Sequence, residues 1–213
     1  LGAGIFTTGP GGTNALTGLA AAWLDSIPCV FLSGQARSNQ TIKGRKLRQI
    51  GTQELDIVSM VKSTTNYAVT VYDINEVKYH VQKAIYLAQH GRPGPVWIDL
   101  PVDILWSPVD IDDLKEFDPV SEFGSSDPLI STESPGPNEN QLQAIAEMVS
   151  QSERPLVVVG YGARLSGAEA QVIKFVEDLG IPFVTSWNMC DVTPSDHPLN
   201  MGRPGMAGQR GAN

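Results

Sequence analysis

The chain has 213 residues, room for one large domain or two small ones. With 41% hydrophobic and 18% charged residues it can build a core, which excludes wholesale disorder, and no run nears the roughly 18 unbroken apolar residues of a membrane-crossing helix. The net charge of −8, from 15 basic and 23 acidic residues, argues against nucleic acid as the main partner. Residues 1–8 are apolar and β-leaning, and Gly9-Pro10-Gly11-Gly12 breaks them. Thr13 and Asn14 are candidate caps for a helix over 15–24. Residues 27–32 (IPCVFL) are apolar on both faces, as a parallel strand buried between helices must be. Ser33-Gly34-Gln35 closes that strand at the end where α/β sheets place ligands.

Residues 37–48 hold five basic residues and no acidic one, and read as a mobile loop that could meet a phosphate or a partner subunit, or simply be solvated. A short helix over 56–61 and a strand over 66–71 follow. Apolar residues at 74, 77, 81, 84, 85 and 88 form a helical stripe. Gly91-Arg92-Pro93-Gly94-Pro95 is a turn, and 96–100 (VWIDL) a buried strand stopped by Pro101. Residues 103–137 carry nine acidic residues, one basic residue, seven Ser or Thr and five Pro, with no periodicity, and read as a solvated linker. Then come a helix over 139–151, a strand over 155–159 ended by Gly160-Tyr161-Gly162, a helix over 168–179 with Gly180 as its C-cap, and a strand over 183–186.

The pattern is α/β: two Rossmann-like, parallel-sheet units joined by an acidic tether. The divisions expected are 1–103, 104–137 for the linker, and 138–213. Cys29 and Cys190 form no metal motif and read as two reduced thiols. His80, His90 and His197 are scattered, without the spacing of a metal site or a catalytic pair.

Residues 8–14 (TGPGGTN) follow a strand and open a helix, so their free N–H groups offer donors to an anion. They fit neither a Walker A loop nor the G-x-G-x-x-G spacing, and a tight strand-to-helix turn explains them equally well. The stretch GPGGTNALTGLAAAWLDSIPCVFLSGQ resembles the thiamine-diphosphate-dependent acetolactate synthase family. The likeness continues through Gln53-Glu54, GRPGPV, VWIDLPVDI, PLVVVGYGARLSGA, GIPFVTSW and GRPGMAGQRGAN, and so covers nearly the whole chain. The later pieces are most similar to acetolactate-synthase-like enzymes of bacterial polysaccharide gene clusters.

The resemblance implies that 1–103 is the C-terminal part of a pyrimidine-binding domain. Residues 138–213 would be the N-terminal part of a central, nucleotide- or FAD-binding-like domain. It implies an internal fragment, inactive alone, since the family's essential glutamate lies upstream of the Gly9 turn and its Mg²⁺ motif in a third domain. No catalytic or metal residue is therefore expected within the chain, and Glu54 is not that glutamate. Thiamine diphosphate is implied beside Pro10, Gly11, Asn14 and Gln53, and FAD beside Arg92, Gly160 and Gly162. The implied activity is decarboxylation of pyruvate or a related 2-oxo acid and transfer of the two-carbon unit to a second carbonyl. A cytoplasmic homo-oligomer, dimer or tetramer, in branched-chain amino acid biosynthesis goes with it. Val102 stands where the synthases have lysine and Thr52 where they have phenylalanine, and the loop 37–51 is longer than theirs. These departures keep open another thiamine-diphosphate decarboxylase or carboligase, and a non-catalytic nucleotide- or FAD-binding module.

Overall fold

The computed structural model describes residues 1–125, 129 and 136–213, and the chain divides into two compact units, Leu1–Ser134 and Pro135–Asn213. The first is built on four parallel strands in the order β1-β2-β4-β3: β1 (Gly2–Phe6), β2 (Cys29–Gln35), β3 (Tyr67–Thr70) and β4 (Pro95–Pro101). Central β4 is buried at Val96, Trp97 and Ile98, because strands covered by helices on both faces must be apolar on both. Its two prolines sit at its ends, where a missing N–H costs the ladder least. β2 begins at Cys29, two residues later than the apolar run, since Ile27 is exposed and Pro28 precedes the pairing.

α1 (Pro10–Thr13) and α2 (Leu16–Leu24) join β1 to β2, α3 (Ile57–Val61) precedes β3, and α4 (Val77–Gln89) joins β3 to β4. α2, α3 and Trp97 share one core cluster, while α4 buries Ala84 and Ala88 against Val30, Val71, Val96 and Ile98. The expectation that Asn14 caps the following helix fails. Asn14 ends α1, its amide donates to Pro10 O at 3.1 Å, and α2 starts from Ala15 without a side-chain cap.

The acidic stretch after β4 also departs from its reading as a solvated tether. It forms α5 (Val102–Leu105) and α6 (Pro119–Phe123), the latter capped by Asp118, and its residues 115–123 dock on α4. Phe117 sets its edge against Tyr79, with ring centroids 5.7 Å apart, and Phe123 stacks on Tyr86. Glu116 pairs with Lys78, and Glu122 accepts from Lys83 and from Tyr79 Oη. α4 offers lysines and tyrosines on the side away from the core, which complement acids and phenylalanines that sequence spacing alone leaves unpartnered. Positions 126–128 and 130–135 of the expected linker lie outside the described residues.

The second unit has α7 (Glu139–Gln151), β5 (Val157–Val159), α8 (Gly162–Leu165), α9 (Glu169–Leu179) and β6 (Phe183–Thr185), with β5 and β6 parallel. Asn138 and Gln141 close a capping box on α7. Gly180, at φ +66°, ends α9 as its sequence position predicts. Val159, Val176, Phe183 and Met189 form the core.

Candidate functional site

All four strands of the first unit run parallel, so their C-terminal ends share one edge, where the loops after β1 and β2 converge. Gly9 has φ +58° and ψ −120°, open to glycine and strained for other residues. A Cβ there would lie 2.0 Å from Gln53 O, so the turn closes against the backbone of Gln53 only because residue 9 has no side chain. Gln53 is itself at φ +58°, a left-handed conformation that costs a non-glycine residue roughly 1–2 kcal/mol. Its side chain is exposed and, among the described residues, its amide has no hydrogen-bond partner. Gly11 is likewise confined, since a Cβ would meet Thr7 Cγ2 at 2.2 Å. The structure thus brings Pro10, Gly11 and Asn14 onto one helical turn and sets Gln53 against the residue that opens it.

The segment carrying Gln53 is held by two buried side chains. Glu54 accepts the backbone N–H groups of Ile42, Ile50 (2.7 Å) and Gly51 (3.3 Å), which ties the middle and the far end of the basic loop to one carboxylate. Gln35 Nε2 donates to Leu55 O at 2.8 Å and to Asp99 Oδ2 at 2.9 Å. Asp99 is fully buried in β4 and also accepts from Ser33 Oγ (2.5 Å) and Thr70 Oγ1 (3.2 Å), while Trp97 Nε1 donates to Ser33 Oγ. Burial pushes the Asp99 carboxyl up to about 6, against the opposing pull of these hydrogen bonds. Sequence reading passed over this network. Its signal was a carboxylate inside the otherwise apolar VWIDL, which burial tolerates only with partners.

Next to it lies a cavity of about 500 Å³ between the basic loop and the ends of β2 and β3, lined among others by Gln35, Lys43, Arg45, Glu54, Thr70 and Tyr72. Phe6, Phe31 and Trp97 stack with centroids 5.3–6.0 Å apart in the core behind the turn, where a Cβ on Gly12 would lie 3.6 Å from the Trp97 ring. Val102 opens α5 directly after β4, and the adjacent Asp103 Oδ1 accepts from Ser38 N, so the end of β4 is tied to the start of the basic loop.

Arg92 lies at the opposite, N-terminal edge of the sheet, away from the Gly9 turn. Its Nε donates to Ser26 Oγ at 2.8 Å beside a cavity of about 270 Å³ lined by Trp23, Leu24 and Pro93. In the second unit, Gly160 and Gly162 follow β5 and start α8, and a Cβ on either would meet nothing within 4 Å. Tyr161 between them packs into the core. A cavity of about 250 Å³ at the end of β6 is lined by Thr185, Cys190, Asn200 and Arg203, and Ser186 Oγ nearby in sequence is buried without a partner among the described residues. Among the described residues no group of three or more His, Cys, Asp or Glu could hold a metal ion, and no helix is long and apolar enough to cross a membrane. Cys29 and Cys190 are free thiols.

The donor set on the sheet edge fits the pyrimidine side of thiamine diphosphate. It offers an unpartnered amide at Gln53 and a helical turn pressed close by glycine, backed by an aromatic core. The family model for the thiamine pyrophosphate enzyme N-terminal TPP binding domain matches residues 1–60, and that for the thiamine pyrophosphate enzyme central domain matches 142–213. Over 98% of its length the chain is 37% identical to acetolactate synthase 1, chloroplastic, of Zea mays, and 32% identical to the acetolactate synthase large subunit of Lactococcus lactis. It is 31% identical to a probable acetolactate synthase large subunit of Methanocaldococcus jannaschii. It spans 30%, 34% and 33% of these relatives' own lengths, respectively. The chain belongs to the thiamine pyrophosphate enzyme family, with its N-terminal TPP-binding and central domains represented in order along the sequence.

Proposed function

We propose that the chain supplies the pyrimidine-side wall of the cofactor site in a larger acetolactate-synthase-like transferase, whose substrate is pyruvate or a related 2-oxo acid. On this reading 1–103 is the C-terminal part of the pyrimidine-binding domain and 138–213 the N-terminal part of the central domain. The observation that carries it is the contact of the Gly9 turn with Gln53, because two matched segments over forty residues apart in sequence meet at the ligand edge of the sheet.

The chemistry that thiamine diphosphate supplies when bound is an electron sink for decarboxylating a 2-oxo acid. This chain's residues bind and orient. Pro10 and Gly11 bring the α1 backbone close to the ligand, Asn14 stands at the end of that turn, and Gln53 presents its free amide from a fixed backbone. Phe6, Phe31 and Trp97 exclude water from behind. Gln35 and Glu54 hold the Gln53 segment in register. The essential glutamate, which would act on the pyrimidine ring, and the Mg²⁺ ligands belong to parts of the enzyme outside these residues, and the enzyme is a cytoplasmic homo-oligomer.

FAD is part of the proposal, on Gly160 and Gly162, whose open surroundings suit a close approach by a nucleotide. In the first unit Arg92, whose two terminal guanidinium nitrogens have no partner among the described residues, is proposed separately as a flavin contact. The test is the complete enzyme assayed with pyruvate, thiamine diphosphate and Mg²⁺. Gln53→Ala is expected to raise the thiamine diphosphate concentration for half-maximal activity about tenfold, with matching loss of affinity by fluorescence titration. An unchanged cofactor dependence in Gln53→Ala sinks this assignment, and flavin absorbance of the purified enzyme decides the FAD part.

A further inference from the structure

The loop between β2 and α3 holds Arg37, Lys43, Arg45, Lys46 and Arg48, and among the described residues none of the five is paired with a carboxylate. In a chain of 23 acidic residues and net charge −8, that is the reverse of what random pairing gives. The two carboxylates that line the same cavity form no ion pair with these five cations. Glu54 is occupied by the N–H groups of Ile42, Ile50 and Gly51, and Asp56 caps α3 by accepting from Ser59 N and Oγ.

The tip of the loop is shaped toward the cavity. Lys43 has φ +38°, a conformation lysine rarely adopts, and Gly44 follows at φ +80°. Strain of this kind persists only where its surroundings impose it, and it concentrates at ligand sites. Lys43 Nζ lies 4.4 Å from the centre of the Tyr72 ring, and the Tyr72 hydroxyl has no partner among the described residues. The cavity therefore presents an ammonium, the Arg45 guanidinium and a phenol to a volume of about 500 Å³.

We propose that this cavity takes the phosphoryl group of a phosphorylated carbonyl acceptor, the second substrate of the reaction proposed above. The inference rests on that reading for the reaction but not for the anion site. One carboxylate is satisfied by a single arginine fork, whereas a phosphate or diphosphate carries two or more charges and matches a lysine and an arginine together. The unpaired Arg37, Lys46 and Arg48 add a local positive potential that draws such an anion in. A small oxo acid leaves most of this charge and volume unmet.

The test is titration of the full chain with inorganic diphosphate, inorganic phosphate and malonate, followed by amide NMR shifts of Gly44 and Gly51. Diphosphate is expected to saturate, with malonate at least tenfold weaker. The double variant Lys43→Ala/Arg45→Ala should lose at least tenfold in diphosphate affinity, and Lys46→Ala/Arg48→Ala, off the cavity wall, less than threefold. Equal losses in both doubles mean diffuse charge and overturn the site, and malonate binding as tightly as diphosphate overturns the phosphoryl assignment. In the complete enzyme, Lys43→Ala/Arg45→Ala should leave thiamine diphosphate affinity unchanged. A tenfold loss there assigns the anion site to the cofactor and overturns the acceptor. Failure of Gln53→Ala to affect cofactor binding strikes the proposed function alone and leaves the diphosphate result standing.

Discussion

Gly9 and Gln53 are joined by the absence of a side chain: a Cβ on Gly9 would stand 2.0 Å from the Gln53 carbonyl oxygen. Gly9→Ala must therefore displace either the turn that opens α1 or the segment bearing Gln53, and it also places alanine at φ +58°. The two effects together should cost about 2–4 kcal/mol. Urea unfolding should show a lower midpoint, and the complete enzyme should lose thiamine diphosphate binding with it. Unchanged stability in Gly9→Ala would mean that this contact is not held in solution.

Asp99 makes stability depend on pH in a definite direction. Burial raises its carboxyl to about 6 in the folded chain, while the unfolded value lies near 3.9. Between these values the folded state holds the proton more tightly, so stability falls as pH rises from about 4 through 6 and the full penalty, on the order of 2–3 kcal/mol, is present above that. Asp99→Asn removes this dependence, although its amide hydrogens face donors from Ser33, Gln35 or Thr70 and lower stability at every pH. The wild-type minus variant difference in unfolding free energy from pH 4 to 7 isolates the effect. A flat difference assigns the slope to other groups.

Glu54 organises the basic loop through backbone donors alone, so its removal leaves three N–H groups without their acceptor. Glu54→Ala should cost about 1–3 kcal/mol. It should also speed trypsin cleavage after Arg45, Lys46 and Arg48 by tenfold or more, since the loop loses its tie at residues 42, 50 and 51. Equal cleavage rates in the two proteins contradict this role.

The strands and helices of the first unit, taken along the chain, were legible because apolar periodicity is a local property: VWIDL and the stripe from Ile74 to Ala88 announce themselves. The meeting of the Gly9 turn with Gln53 was legible only through family resemblance, since a glycine-rich turn and a polar loop each have innocent explanations. Asp99 was missed because its partners Ser33, Gln35 and Thr70 come from two neighbouring strands, and pairing across a sheet cannot be counted along a chain. The acidic stretch was misread for the same reason: Glu116 and Glu122 are neutralised by lysines of α4 from 38 and 39 positions away in sequence.

That docking is itself open to measurement. Phe117→Ala removes the ring that meets both Tyr79 and Tyr86, leaving Phe123 on Tyr86 and the part-exposed Lys78–Glu116 and Lys83–Glu122 pairs, each worth under about 1 kcal/mol, to hold the segment. Amide hydrogen exchange over 115–123 should quicken in Phe117→Ala while exchange in β4 stays slow. Unaltered exchange at 115–123 means that the aromatic contact does not hold the strap.

Gln53 sets stability against function at one residue. It holds φ +58°, which glycine adopts without the steric cost that glutamine bears. Gln53→Gly should therefore raise the unfolding free energy, by about 0.5–1 kcal/mol once the greater entropy of a glycine in the unfolded chain is subtracted. The same change deletes the unpartnered amide that the proposed cofactor site depends on, so thiamine diphosphate affinity in the complete enzyme should fall about tenfold. Gln53→Ala is the control, since it loses the amide but keeps the strain, and it should lose affinity without gaining stability. A chain that tolerates left-handed glutamine where glycine is easier holds it for its side chain. If Gln53→Gly is both more stable and equally good at binding the cofactor, the strain has no functional purpose and Gln53 leaves the site.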